Sequence, residues 1–116
     1  MKEESAQSPA GKLTPGEKFR LREQISFVTG SIVSRVLEKS AGGNVTLFAF
    51  DAGQGLSEHT APFNALVNVL EGEADIKIGT SRMHLVEGDS VLMPANITHS
   101  VQATVPMKML LVMIRS

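Results

Sequence analysis

The feature that most constrains the fold of this chain is a series of short apolar segments separated by turn residues. Gly, Pro or Asn interrupts the series at a spacing of roughly 8–12 residues, from position 30 to the C-terminus. We predict eight strands, at residues 31–38, 45–50, 65–70, 74–78, 82–86, 90–93, 97–103 and 107–114. This spacing is typical of a sandwich or barrel built from strands alone, so we predict an all-β fold.

The chain before residue 45 permits more than one interpretation. The segment 19–27 fits either an extended arm or a short helical turn, because its apolar residues can line one side of both. The segment 31–38 also permits a helical stripe, although the glycines at positions 30 and 42 favour a strand. Helix or strand is therefore left open for residues 18–38.

The length of 116 residues corresponds to one domain. Residues 1–17 are rich in Ser, Glu, Lys, Gly and Pro, and we predict a disordered N-terminal tail followed by a single barrel domain at 18–116. The net charge of −1 and the absence of Trp and Tyr argue against a nucleic-acid partner. Without an apolar signal or membrane segment, we expect no membrane partner and a soluble, cytoplasmic protein.

The absence of cysteine excludes disulfides, thiolate metal sites and cysteine nucleophiles. Histidine is then the leading candidate for chemistry, and the chain has three: His59, His84 and His99. His84 alternates with Arg82 and Val86 in a predicted strand, so we interpret it as a surface or structural residue. His59 and His99 lie in segments with a more specific pattern.

These two segments resemble the paired motifs of the cupin family. In residues 53–72 the matching positions are Gly53, His59 and Gly72, and in residues 88–103 they are Gly88, Pro94 and His99. The resemblance implies a jelly-roll-like double-stranded β-helix barrel of two packed antiparallel sheets. It also implies a site inside the mouth of the barrel and, often, a homodimer.

The chain departs from the motifs at four positions. Ala61 and Ala65 stand where the motif has its second histidine and its glutamate, and Asn96 and Ala103 replace a glycine and an asparagine. A full metal site resembling the family's uses three histidines and a carboxylate. Only His59 and His99 remain of these four, so a divalent metal such as Zn, Mn, Fe or Ni would be held weakly.

A third metal ligand would have to come from a neighbouring residue or from water. Asn64 is a better candidate than Glu58, since a residue adjacent to His59 on a regular strand faces the opposite side.

We predict that a ligand pocket is lined by His59, His99, Ala61, Ala65, Met93 and Met109. The methionines at 107, 109 and 113 have a period of two, which indicates one face of the last strand, with core packing and a share in the pocket wall.

Three functions are compatible with this pattern. The first is a module that binds a small organic ligand, with the histidines fixing its polar end. The second is a metal-dependent enzyme of dioxygenase, isomerase or decarboxylase type with a two-histidine site. The third is a purely structural role in dimerisation. We expect a homodimer because the edges of a small sandwich must be covered, and the arm at 19–28 is a candidate for pairing with a partner.

Overall fold

A computed structural model describes residues 12–115 of the chain. Within this range it contains nine strands and one 3₁₀ turn, at Leu21–Glu23, and no α-helix. The strands are β1 (Ile32–Ser40), β2 (Gly43–Phe50), β3 (Gly55–His59), β4 (Asn64–Glu71), β5 (Glu73–Ile78), β6 (Ser81–Val86), β7 (Ser90–Met93), β8 (His99–Gln102) and β9 (Met107–Ile114). No helix in this part of the chain is long and apolar enough to cross a membrane.

The strands form two antiparallel sheets, with the orders β1-β2-β9-β4-β7 and β3-β8-β5-β6. The all-β prediction and the two-sheet, jelly-roll-like architecture are thus confirmed. The open segment at 31–38 forms a strand, and the segment at 19–27 contains the 3₁₀ turn. The predicted strand at 97–103 was too long, since β8 spans only His99–Gln102. One strand, β3, was not predicted.

The core lies between the two sheets, because side chains alternate between inward and outward directions along every strand. Its fully buried large members include Phe50, Val67, Val69, Ile76, Met107 and Met109. Part of the outward face of the five-stranded sheet is also covered by apolar side chains. A second apolar cluster lies there over β1 and β2, and it consists of Ile25, Leu37, Leu47 and Ala49.

The segment before β1 supplies part of this second cluster. Ile25 is 1% exposed, and Leu13 packs against the same group. The ammonium group of Lys108 donates a hydrogen bond of 2.6 Å to the carbonyl oxygen of Arg22, which fastens the segment to β9. The arm therefore packs on the sheet of its own chain. Residues 1–11 of the predicted tail lie outside the described residues, and the homodimer stays a prediction.

At one end of the sandwich, called the mouth below, two short connections join the sheets. Residues 60–63 lead from β3 to β4, and residues 94–98 lead from β7 to β8. The amide of Asn96 donates a 2.8 Å hydrogen bond to the carbonyl of Ala61, so the two connections support each other. Asn96 has a φ of 66°, and asparagine tolerates this left-handed conformation better than other residues with a Cβ, which explains how it replaces glycine here.

Candidate functional site

The structure brings His59 and His99 together at the mouth. The two residues are directly opposite each other in the pairing of β3 with β8. Their rings are tilted edge-to-face at 69°, with centroids 4.3 Å apart, and their Nε2 atoms are separated by 3.1 Å. His99 is buried at 6% exposure, whereas His59 is exposed, so the pair is reachable from solvent through His59.

The other ring nitrogen of each histidine faces a backbone carbonyl. Nδ1 of His59 lies 2.7 Å from the oxygen of Ser57, and Nδ1 of His99 lies 3.3 Å from the oxygen of Ile97. A carbonyl oxygen only accepts hydrogen bonds, so these contacts place a proton on Nδ1 in both rings. Each Nε2 atom then presents a lone pair.

The two neutral histidine rings have one proton too few for all three of their contacts to be hydrogen bonds. Three contacts, Nδ1 to carbonyl twice and Nε2 to Nε2 once, need three ring protons, while two neutral imidazoles carry two. Burial lowers the pKa of His99, and the nearby His59 lowers it further, although the Ile97 carbonyl partly opposes this. An electron-pair acceptor between the two Nε2 atoms, either a third proton or a metal cation, would complete the arrangement.

Within residues 12–115, no third histidine and no carboxylate converges with the pair. Among residues 12–115, no group of three or more His, Asp or Glu side chains is placed to hold a metal ion. The Glu58 carboxylate points to the outer face, where Lys77 donates a 2.8 Å hydrogen bond to it. The side-chain oxygen of Asn64 accepts a hydrogen bond from the amide of Ala95, so the expected third ligand supports the connection at 94–98 instead.

The remaining predicted pocket residues lie at two depths. Ala65 stands opposite Met93 in β7 and opposite Met113 in β9, all in the inward-facing row next to the mouth. Met109 lies four residues before Met113 in β9, about 13 Å further from the mouth. It is paired with Phe48 and is fully buried. Met109 is thus a core residue away from the histidines.

Met113 was given only a general share in the pocket wall and was not among the six predicted pocket residues. It belongs to the methionine stripe of the last strand, but only its register against Ala65 places it near the mouth.

The main surface cavities found among residues 12–115 lie away from the histidine pair. Five of them have volumes of about 240–570 Å³, and none of these five is lined by His59 or His99. One cavity of about 520 Å³ lies on the outer face of the four-stranded sheet, beside Lys77, Arg82 and His84. The expected interior pocket is not among these five, and large buried side chains fill the space between the sheets.

His84 lies on the outer face, as expected for a surface residue. Its Nδ1 is 2.7 Å from the carboxylate of Asp75, and its Nε2 is 2.7 Å from that of Glu73. Hydrogen bonding to Asp75 raises the pKa of His84 above its usual value, and the hydrogen bond to Glu73 adds to this. The histidine and its two carboxylates form a small ion cluster across the β5–β6 hairpin.

This cluster predicts a pH dependence of stability. A histidine whose pKa is raised by folding binds its proton more tightly in the folded state, so its contribution is fully present below the unfolded pKa of about 6.5. The contribution is lost as the pH rises through the folded pKa. We expect the unfolding midpoint of the native chain to fall across this range more than that of His84→Gln. Parallel pH profiles for the two proteins would contradict this prediction.

Comparison with known proteins gives a consistent family assignment. The family model of the cupin domain matches residues 46–113. A conserved protein of unknown function from Streptococcus pyogenes has a similar structure, with a TM-score of 0.86 and 29% identity, and the match covers 96% of this chain and 97% of that one. No curated protein matches the chain.

Two further solved structures carry the family in their descriptions. A cupin superfamily protein from Desulfitobacterium hafniense aligns with a TM-score of 0.84 at 26% identity, covering 90% of this chain and 95% of that one. A cupin 2 conserved barrel domain protein from Leptotrichia buccalis is 36% identical with a TM-score of 0.81, over 84% of this chain and 47% of that one. The two-sheet barrel, the motif glycines and the histidine pair at its mouth thus have one explanation: the chain belongs to the cupin domain family.

Proposed function

We propose that this protein binds a small ligand at the mouth of its barrel, through a cation held by His59 and His99. The observation that carries the proposal is the convergence of the two Nε2 atoms at 3.1 Å, each with its Nδ1 directed at a backbone carbonyl. A cation that takes both lone pairs leaves both ring protons for the carbonyls, so all three contacts are satisfied at once.

The distance itself supports a metal. Imidazole nitrogens bind zinc at about 2.0–2.1 Å, so two ligands in neighbouring positions are separated by about 3.0–3.4 Å. Histidines that bind metals also commonly donate their second ring N–H to a backbone carbonyl, which fixes the tautomer. The Nε2–Nε2 distance of 3.1 Å and the two Nδ1–carbonyl contacts of the pair agree with both features.

Two protein ligands leave several coordination positions for water or for a small organic molecule. Ala61 and Ala65 stand where the family motif has its second histidine and its glutamate, so neither residue supplies a ligand of its own. An organic ligand with an oxygen donor would bind the cation there. Turnover of this ligand would make the protein a metal-dependent enzyme of dioxygenase, isomerase or decarboxylase type, and binding without turnover would make it a sensing or carrier module.

A second candidate is binding of the organic ligand without a metal. The exposure of His59 and the lack of a third convergent histidine or carboxylate among the described residues favour it. In this case a hydroxyl or acid group of the ligand donates its hydrogen to the Nε2 atoms.

Equilibrium dialysis of the metal-stripped protein separates the two candidates. We expect one equivalent of metal from micromolar solutions of Zn(II), Mn(II), Fe(II), Ni(II) or, under reducing conditions, Cu(I). Binding should stabilise the fold by about 2.7 kcal/mol when the free metal exceeds its Kd a hundredfold, and this is measurable as a higher melting temperature. Retention of none of these metals would contradict the cation site and leave the metal-free candidate.

A further inference from the structure

Two thioether side chains lie at the same mouth as the histidine pair. Met93 and Met113 stand on either side of Ala65, in β7 and β9 respectively. Met93 is part of the main core cluster and is 3% exposed, and Met113 is partly buried against the same cluster. Both side chains therefore point inward, between the sheets.

The chain topology makes this methionine row face the histidines. The connection at 60–64 leads from His59 to Ala65, and the connection at 94–98 leads from Met93 to His99. Each connection thus starts in one row and ends in the other, so the two rows lie opposite each other across the sandwich. Packed sheets are about 10 Å apart, a gap that a methionine and a histidine side chain from opposite sheets can bridge.

The donor atoms near the mouth are neutral. The imidazoles of His59 and His99 and the thioethers of Met93 and Met113 carry no charge, while the carboxylate of Glu58 is held by Lys77 on the outer face. A divalent ion would keep its full charge in such a half-buried site. A monovalent ion has about a quarter of the charging cost, because that cost varies with the square of the charge.

The softness of the donor atoms also favours a monovalent ion, namely Cu(I). Thioethers are soft ligands that favour Cu(I), and imidazole suits copper as well, whereas Mn(II) and Mg(II) prefer oxygen. We propose that the cation at this mouth is Cu(I), held by His59 and His99 together with the thioether sulfur of Met113 and of Met93. This inference depends on the cation site proposed above and adds the identity of the ion and two further ligands.

Competition with a chromophoric Cu(I) chelator under anaerobic, reducing conditions tests the inference on the full chain. We expect one Cu(I) per chain. We expect Met93→Leu and Met113→Leu each to weaken Cu(I) binding by about 10-fold or more, comparable with the loss of a supporting interaction at a metal site. Zn(II) affinity, measured in parallel, should stay unchanged in both variants. Met109→Leu is the matched control, since it makes the same change on β9 in the deep core.

X-ray absorption at the copper edge gives a readout that needs no variant. A sulfur scatterer in the copper shell of the native protein supports the inference, and a shell of nitrogen and oxygen alone overturns it. Loss of Cu(I) affinity in the histidine variants but in neither methionine variant also overturns it, although the two-histidine cation site would survive. Failure of Cu(I) and of the divalent ions to bind at one equivalent overturns both proposals.

Discussion

His59→Ala is expected to weaken cation binding by at least about 100-fold, because it removes one of two imidazole ligands rather than a supporting contact. The side chain is exposed, so the free energy of unfolding without metal should change by less than about 0.5 kcal/mol. His99→Ala should cause the same loss of binding. Its effect on stability is expected to be larger, since that ring is buried. Calorimetric titration of each variant with Cu(I) and Zn(II) checks these values.

The third histidine supplies the matched control. His84→Ala removes an imidazole of the same chemistry on the outer face, where its partners are Asp75 and Glu73. We expect full metal affinity in this variant. If His84→Ala lost as much affinity as His59→Ala, the metal would be bound on the outer surface, and the mouth would not be the site.

Gly72→Ala is expected to cause a large loss of stability, about 2–4 kcal/mol. Gly72 lies between β4 and β5 with a φ of 81°, a conformation that costs a residue with a Cβ about 1–2 kcal/mol. A Cβ there would also lie 2.2 Å from the carbonyl oxygen of Pro106, so the backbone before β9 must shift. Chemical denaturation measures the loss.

Gly88→Ala separates the two causes. Gly88 has a φ of 94°, but a Cβ there would have no atom within 4 Å outside its immediate chain neighbours. We expect this variant to lose about 1–2 kcal/mol, for the backbone conformation alone. Equal losses for Gly72→Ala and Gly88→Ala would show that the close approach to Pro106 has no energetic importance.

Local sequence pattern predicted most strands of this fold, because their alternation and their turn residues are both local signals. It missed β3, whose sequence Gly55-Leu-Ser-Glu-His59 does not alternate and whose partner β8 lies about forty residues away. It also could not decide the segment before β1. The position of that segment depends on packing of Ile25 against β1 and β2, and on a hydrogen bond from Lys108.

The candidate site was predictable to the extent that a motif carries it. The spacing of both motifs selected His59 and His99 from the three histidines of the chain. The place of Met113 depends on the register between β4 and β9, which no local pattern reveals, and Met109 was selected for the site although the same register buries it deeply. The roles of Glu58 and Asn64 likewise depend on partners distant in sequence.

The most direct test of the account is the protonation of the two imidazoles when a cation is bound. Nitrogen-15 NMR of the histidine rings, recorded with one equivalent of Cu(I) or Zn(II), distinguishes Nδ1 from Nε2. The account predicts that Nδ1 carries the proton in both His59 and His99, and that both Nε2 signals shift together and saturate at one equivalent. A proton that stays on either Nε2, or a shift confined to one of the two rings, would contradict the claim that this pair binds one cation.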